Sequence, residues 1–111
     1  MSKEDVLAEY DVIFKKYEND KTNFVNQVLL ERTKQLIVKD RLGVVEALRY
    51  WLSSRESGLT VAVANLIADV NIPELKPELK CLRKEIESGK IFHPYYNYCV
   101  DRALKAISEN P

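Results

Sequence analysis

The sequence predicts an all-α fold of six helices. Three observations carry this. Apolar residues recur every three or four positions in six successive segments. Clusters of Asn, Asp, Ser, Gly and Pro separate those segments. The one stretch with an alternating start, Val61-Ala62-Val63, has no second alternating run to pair with, so it reads as helix rather than strand.

Ser2 is placed to cap the first helix, with Glu4 and Asp5 in the first turn, where the helix dipole favours acids. Val6, Tyr10, Ile13, Phe14 and Tyr17 then form one apolar stripe. Asn19 to Asn23 is a run of turn formers in which Thr22 or Asn23 caps the next helix. Phe24, Val25, Val28, Leu29, Leu36 and Ile37 keep a helical period to about Val38.

Asp40 is a cap for the third helix, in which Val45, Leu48, Trp51 and Leu52 face one way. Ser53, Ser54, Ser57 and Gly58 are expected to end it. The fourth helix is expected from Thr60 to about Val70 and is apolar around most of its circumference, as a deeply buried helix would be. Pro73 opens a short turn and Pro77 the fifth helix, since a proline costs little in a first turn and about 3 kcal/mol in a helix interior. Leu75, Leu79, Leu82 and Ile86 supply its buried face, and Gly89 suits the left-handed residue after its end. The last helix is expected from Pro94 or Tyr95 to Ile107.

The six segments pair into three helical hairpins within a single domain, residues 3–38, 40–71 and 73–109. Sliding 45–52 by 34 positions sets Val45 on Leu79, Leu48 on Leu82, Arg49 on Arg83 and Leu52 on Ile86. An offset of 40 sets Val63 on Ala103, Ala64 on Leu104 and Ile67 on Ile107, the six extra residues falling in the connector 89–95. A repeated helix–turn–helix unit of this length is the signature of a helical-repeat array.

The stretch Ala64 to Leu79 resembles the junction between two HEAT-like repeats. Pro73, Glu74, Pro77 and Leu79 match that junction directly, whereas Ala68 stands where glycine is common and Asn71-Ile72 replace the usual Gly-Asp. The resemblance covers about residues 41–108. It implies a short right-handed superhelix of antiparallel helix pairs, an α-solenoid of three hairpins, with an up-down helical bundle as the rival arrangement.

Composition narrows the function. Seventeen basic residues balance seventeen acidic ones, and the signs interleave: residues 1–40 carry seven and eight, residues 41–111 ten and nine. Nucleic-acid binding draws its affinity from a basic surplus, so it is not expected. No apolar run approaches the length of a membrane span, and the first ten residues carry acids where a secretory signal needs an apolar segment, so a cytoplasmic protein without a membrane role is expected. Cys81 and Cys99 are too few for a disulfide framework, and with the single histidine, His93, they match no zinc spacing; neither metal nor cofactor is expected. Glu74/Glu78 and Glu85/Glu87 lie among lysines and arginines and read as ion-paired surface, not as an acid–base couple. No catalytic constellation is expected.

The candidate binding residues are Phe92, His93, Tyr95, Tyr96 and Tyr98 in the aromatic connector, joined by Trp51, Arg49 and Arg83. Tyrosine offers a large amphipathic contact area with few torsions to freeze. Such a surface fits a non-catalytic interaction module: an adaptor, an inhibitor or an immunity-type protein whose partner is another protein. A HEAT-like enzyme acting on nucleic acid or a ligand is the first alternative, and a self-associating homodimer the second.

Overall fold

A computed structural model describes residues 2–19, 24–92 and 96–109. Among them are six α-helices and one 3-10 turn, with no strand: α1 (Lys3–Lys16), α2 (Phe24–Lys39), α3 (Arg41–Ser53), α4 (Ser57–Val70), the turn Pro73–Leu75, α5 (Lys76–Glu87) and α6 (Asn97–Glu109). None of the helices is long and apolar enough to cross a membrane. The chain divides within α3, between Ala47 and Leu48, into two compact units.

In the first unit, α1 starts on a capping box. The Ser2 hydroxyl accepts the Asp5 N–H at 3.3 Å, and the Asp5 carboxylate accepts the Ser2 N–H at 3.0 Å. Val6 and Tyr10 of α1 are buried, as are Leu29, Thr33 and Leu36 of α2. Three contacts tie the two helices together: Glu9 to Arg32, Tyr10 to Thr33, and Tyr17 to Phe24. The neighbouring pairs Glu9–Arg32 and Tyr10–Thr33 lie far along α2 and Tyr17–Phe24 lies at its start, so the helices form an antiparallel hairpin. Residues 20–23, which include the expected caps Thr22 and Asn23, lie outside the described residues. Asp40 caps α3 as expected, its Oδ1 accepting the Gly43 N–H at 3.1 Å.

In the second unit, α6 packs against both α4 and α5. Leu79, Leu82 and Ile86 on α5 and Val100, Ala103 and Ile107 on α6 are buried, as are Val63, Ala64, Leu66 and Ile67 on α4. The end of α3 lies along α5: Arg49 meets Glu78 and Arg55 meets Glu85, at nearly constant separations of 29 and 30 residues. Numbers that rise together mean that these two segments run in the same direction.

The turns show how local chemistry sets the boundaries. The fourth helix begins at Ser57, three residues before the expected Thr60. Arg55 turns the chain in the left-handed region (φ 56°) and the Thr60 N–H already reaches the Glu56 carbonyl at 2.9 Å, so Ser57 and Gly58 belong to the helix and not to the turn. At the other end Asn71 takes the left-handed conformation (φ 63°) in which glycine is common, a role asparagine fills because its short polar side chain tolerates it. The Ile67 carbonyl accepts both the Asn71 and Ile72 N–H groups, and Ile72 is fully buried. Gly89 (φ 78°) closes α5 with the two reversed bonds of a Schellman motif, Lys90 N–H to Glu85 and Gly89 N–H to Ile86.

Candidate interaction surface

The start of α6 and the facing side of α4 enclose a cleft of about 200 Å³ lined by Val61, Asn65, Tyr96, Tyr98 and Cys99. α6 packs on α4, and the small residues Ala64 on α4 and Ala103 on α6 are both fully buried. Val61 and Cys99 give it an apolar floor. The Cys99 thiol donates to the Tyr96 carbonyl at 3.1 Å, and burial raises its pKa, so it stays a neutral packing group at physiological pH. Asn65 is fixed from the far side: Arg102 donates to its Oδ1 at 3.1 Å and to Asp69 at 2.7 Å.

The aromatic connector divides in two. Phe92 and Tyr96 are half-buried, with ring centroids 5.2 Å apart and planes tilted by 42°. Phe92 holds φ at 50°, a conformation that costs a bulky residue about 1–3 kcal/mol, so the ring contact is set against backbone strain. Tyr98 lines the cleft and is 73% exposed. His93 and Tyr95 lie outside the described residues.

The other three candidates are not brought to the cleft. Trp51 is only 8% exposed, on the α3 face that also buries Val44, Ala47, Leu48 and Leu52; it belongs to the core and offers no rim. Arg49 donates from Nε to Glu78 at 2.7 Å. Arg83 bridges Asp101 and Glu87, its Nη1 2.7 Å from the latter. Both arginines fasten neighbouring helices and have their charge answered within the chain.

The paired glutamates do the same. Glu78 and Glu85 are about a quarter exposed and each accepts from an arginine of another segment, Glu85 from Arg55 Nη2 at 2.6 Å. That guanidinium holds the Glu85 carboxyl below its ordinary range, so it remains a carboxylate and does not carry a proton near neutrality. Arg49, Arg55, Glu78 and Cys81 with Leu52 and Ser53 line a second, smaller hollow of about 150 Å³ between α3 and α5. Among the described residues no three His, Cys, Asp or Glu side chains converge as metal ligands would.

Sequence reasoning missed Val61, Asn65 and Cys99 as parts of the cleft. Tyr96 and Tyr98 are visible in the sequence as an aromatic run, but their α4 counterparts become neighbours only through the packing of α4 on α6, and no local pattern announces that. Compared with known proteins, the chain finds no matching family model, no matching curated protein and no matching solved structure.

Proposed function

We propose that this chain is a non-catalytic protein–protein interaction module that seats a side chain of another protein at the mouth of α6. The observation that carries this reading is the cleft beside Tyr98. A largely apolar floor of Val61 and Cys99 is walled by Tyr96 and by a Tyr98 left 73% exposed. At about 200 Å³ the cleft is smaller than the roughly 300–1,000 Å³ of sites that enclose a cofactor or drug-sized ligand, and it suits one bulky side chain. A pocket-filling anchor ringed by tyrosines is also how interaction hot spots are built.

The surrounding chemistry supports binding over turnover. The carboxylates nearby are committed to arginines, and the cleft thiol is neutral. The parallel run of α3 beside α5, with α6 on α4, supports the HEAT-like stack as the scaffold, since stacked hairpins set like helices side by side. The cytoplasm fits two free cysteines, one of them exposed.

The test is quantitative capture from the native cell with the wild-type chain, Tyr98→Ala and Val61→Asp. Partners held by the cleft should fall at least about tenfold with either variant, the loss of a typical hot-spot contact. Equal recovery of the same partners by all three chains would overturn the reading.

A further inference from the structure

Among the described residues four take the left-handed backbone conformation, and one of the four is out of place. Arg55, Asn71 and Gly89 each stand within two residues of a helix end, after α3, α4 and α5. Each also has a backbone bond that closes its turn: Arg55 N–H to Leu52 at 3.3 Å, Asn71 N–H to Ile67 at 2.9 Å and Gly89 N–H to Ile86 at 3.1 Å. Phe92 (φ 50°) ends no helix and, among the described residues, closes no such bond. It is also bulky, where a left-handed backbone favours glycine or a short polar side chain. What it has instead is the ring of Tyr96, 5.2 Å away between centroids. Tyr96 stands just before α6 and lines the cleft together with Cys99. The Cys99 thiol donates to the Tyr96 carbonyl at 3.1 Å, and the residue is only 8% exposed.

We infer that Phe92 is a sprung latch on the cleft: its ring holds Tyr96 in the wall against its own backbone strain, and release of the ring lets Phe92 relax and uncovers the floor at Cys99. The use of the latch rests on the reading of the cleft as a protein-binding site. A strained bulky residue persists only where its surroundings hold it, and such residues gather at ligand clamps and switches. Two opposed effects of comparable size make the closed arrangement easy to leave. The left-handed backbone disfavours it roughly 5- to 150-fold, and the aromatic pair favours it roughly 2- to 12-fold beyond the area that both rings bury. A small change in what lies against Tyr96 is therefore enough to shift the balance. A partner side chain seated in the cleft against Tyr96 supplies the packing that Phe92 supplies in the free chain, so binding releases Phe92 from its strain.

Thiol labelling of the full chain tests this without a partner. With Cys81→Ser, Cys99 is the one thiol left, and its rate of modification by dithiobisnitrobenzoate, relative to that of the unfolded chain, reads the fraction of molecules with the floor open. Phe92→Ala keeps the strain and deletes the ring, and should raise the rate at least about fivefold. Phe92→Gly and Phe92→Asn delete the ring and relieve the strain, because both residues accept the left-handed backbone. They should label several-fold more slowly than Phe92→Ala. Ring loss that merely loosened the cleft would give the opposite order, with glycine, the most flexible residue, fastest. Phe92→Tyr keeps the ring and should stay within about twofold of the parent chain. The rates should vary little with urea below the unfolding transition followed by circular dichroism, since a local opening exposes little surface. Labelling needs no partner and capture needs no latch, so failure of one leaves the other standing. Phe92→Gly labelling as fast as Phe92→Ala or faster, or rates that follow global unfolding in urea, would overturn the latch.

Discussion

The two units are fastened by different chemistry. In the α1–α2 hairpin the tie is polar and internal. Tyr10, fully buried, lies 2.6 Å from the Thr33 hydroxyl, which itself donates to the Leu29 carbonyl at 2.7 Å. The threonine hydrogen is therefore spent on Leu29, and Tyr10 must be the donor to Thr33. In the second unit the interior is apolar, with Leu79, Leu82, Ile86, Val100 and Ala103 at zero exposure, and the arginine–carboxylate pairs sit around it, half open to water. A buried hydrogen-bond chain fixes which turn of one helix meets which turn of the other, because slipping by a turn leaves polar atoms unpaired. Exposed ion pairs add little stability and leave the work to apolar burial. The first unit is thus built for register, the second for bulk.

Adjacent residues on α5 give the sharpest way to break that contrast. Leu82→Ala removes a fully buried side chain and should cost about 2–5 kcal/mol in chemical denaturation, according to how far the helices can close on the cavity. Arg83→Ala, one position on, deletes the pairs to both Asp101 and Glu87 and should move the midpoint far less. If Arg83→Ala destabilised as much as Leu82→Ala, the rim would be holding the second unit and the distinction between the units would fall.

The corresponding change in the first unit is smaller. Thr33→Val keeps the branched shape and takes away the acceptor for Tyr10, at an expected cost of about 1–2 kcal/mol. Combined with Tyr10→Phe, which removes the donor as well, the loss should be less than the sum of the two single changes. Strict additivity in that double-mutant cycle would show that the hydroxyls do not act as a unit.

What the sequence made legible follows the range of the interactions involved. The Ser2 and Asp40 caps, the turn at Pro73 and the left-handed Gly89 all depend on neighbours within a few residues, and each is read from the chain directly. The start of α4 was not, because Ser-Gly reads as a terminator until Arg55 takes the left-handed conformation and frees both residues for the first helical turn. Trp51 shows the same limit in the core. Its place on an apolar stripe is plain from the period, but how far the stripe is covered depends on elements distant in sequence. At the cleft, Tyr96 and Tyr98 are visible as aromatic residues clustered in a connector, while Val61 and Asn65 look like any other positions on an apolar helix. The arginines misled for a related reason: a charge on a helix face looks available until the helix that carries its counter-charge is in place beside it.

The smallest expected effects are in the pH dependence of the first unit, where its two polar ties titrate at opposite ends of the scale. Arg32 donates to both carboxylate oxygens of Glu9 and holds its pKa below the ordinary 4.5. A carboxyl with a lowered folded pKa contributes stability above 4.5 and loses it as the pH falls through the folded value. Tyr10 is the reverse case, since burial raises its pKa above 10.0 and the neutral phenol is the form that fits. Below pH 10.0 its contribution is complete, and it is lost as the pH rises through the raised value, because the unfolded chain releases the proton first. Stability measured across pH should therefore sag at both ends. Glu9→Gln should flatten the acid limb and leave the alkaline limb unchanged, and Tyr10→Phe should do the opposite. A Glu9→Gln chain with an unaltered acid limb would mean that the Arg32 pair contributes nothing to folding, leaving the hydroxyl chain as the tie that sets the hairpin's register.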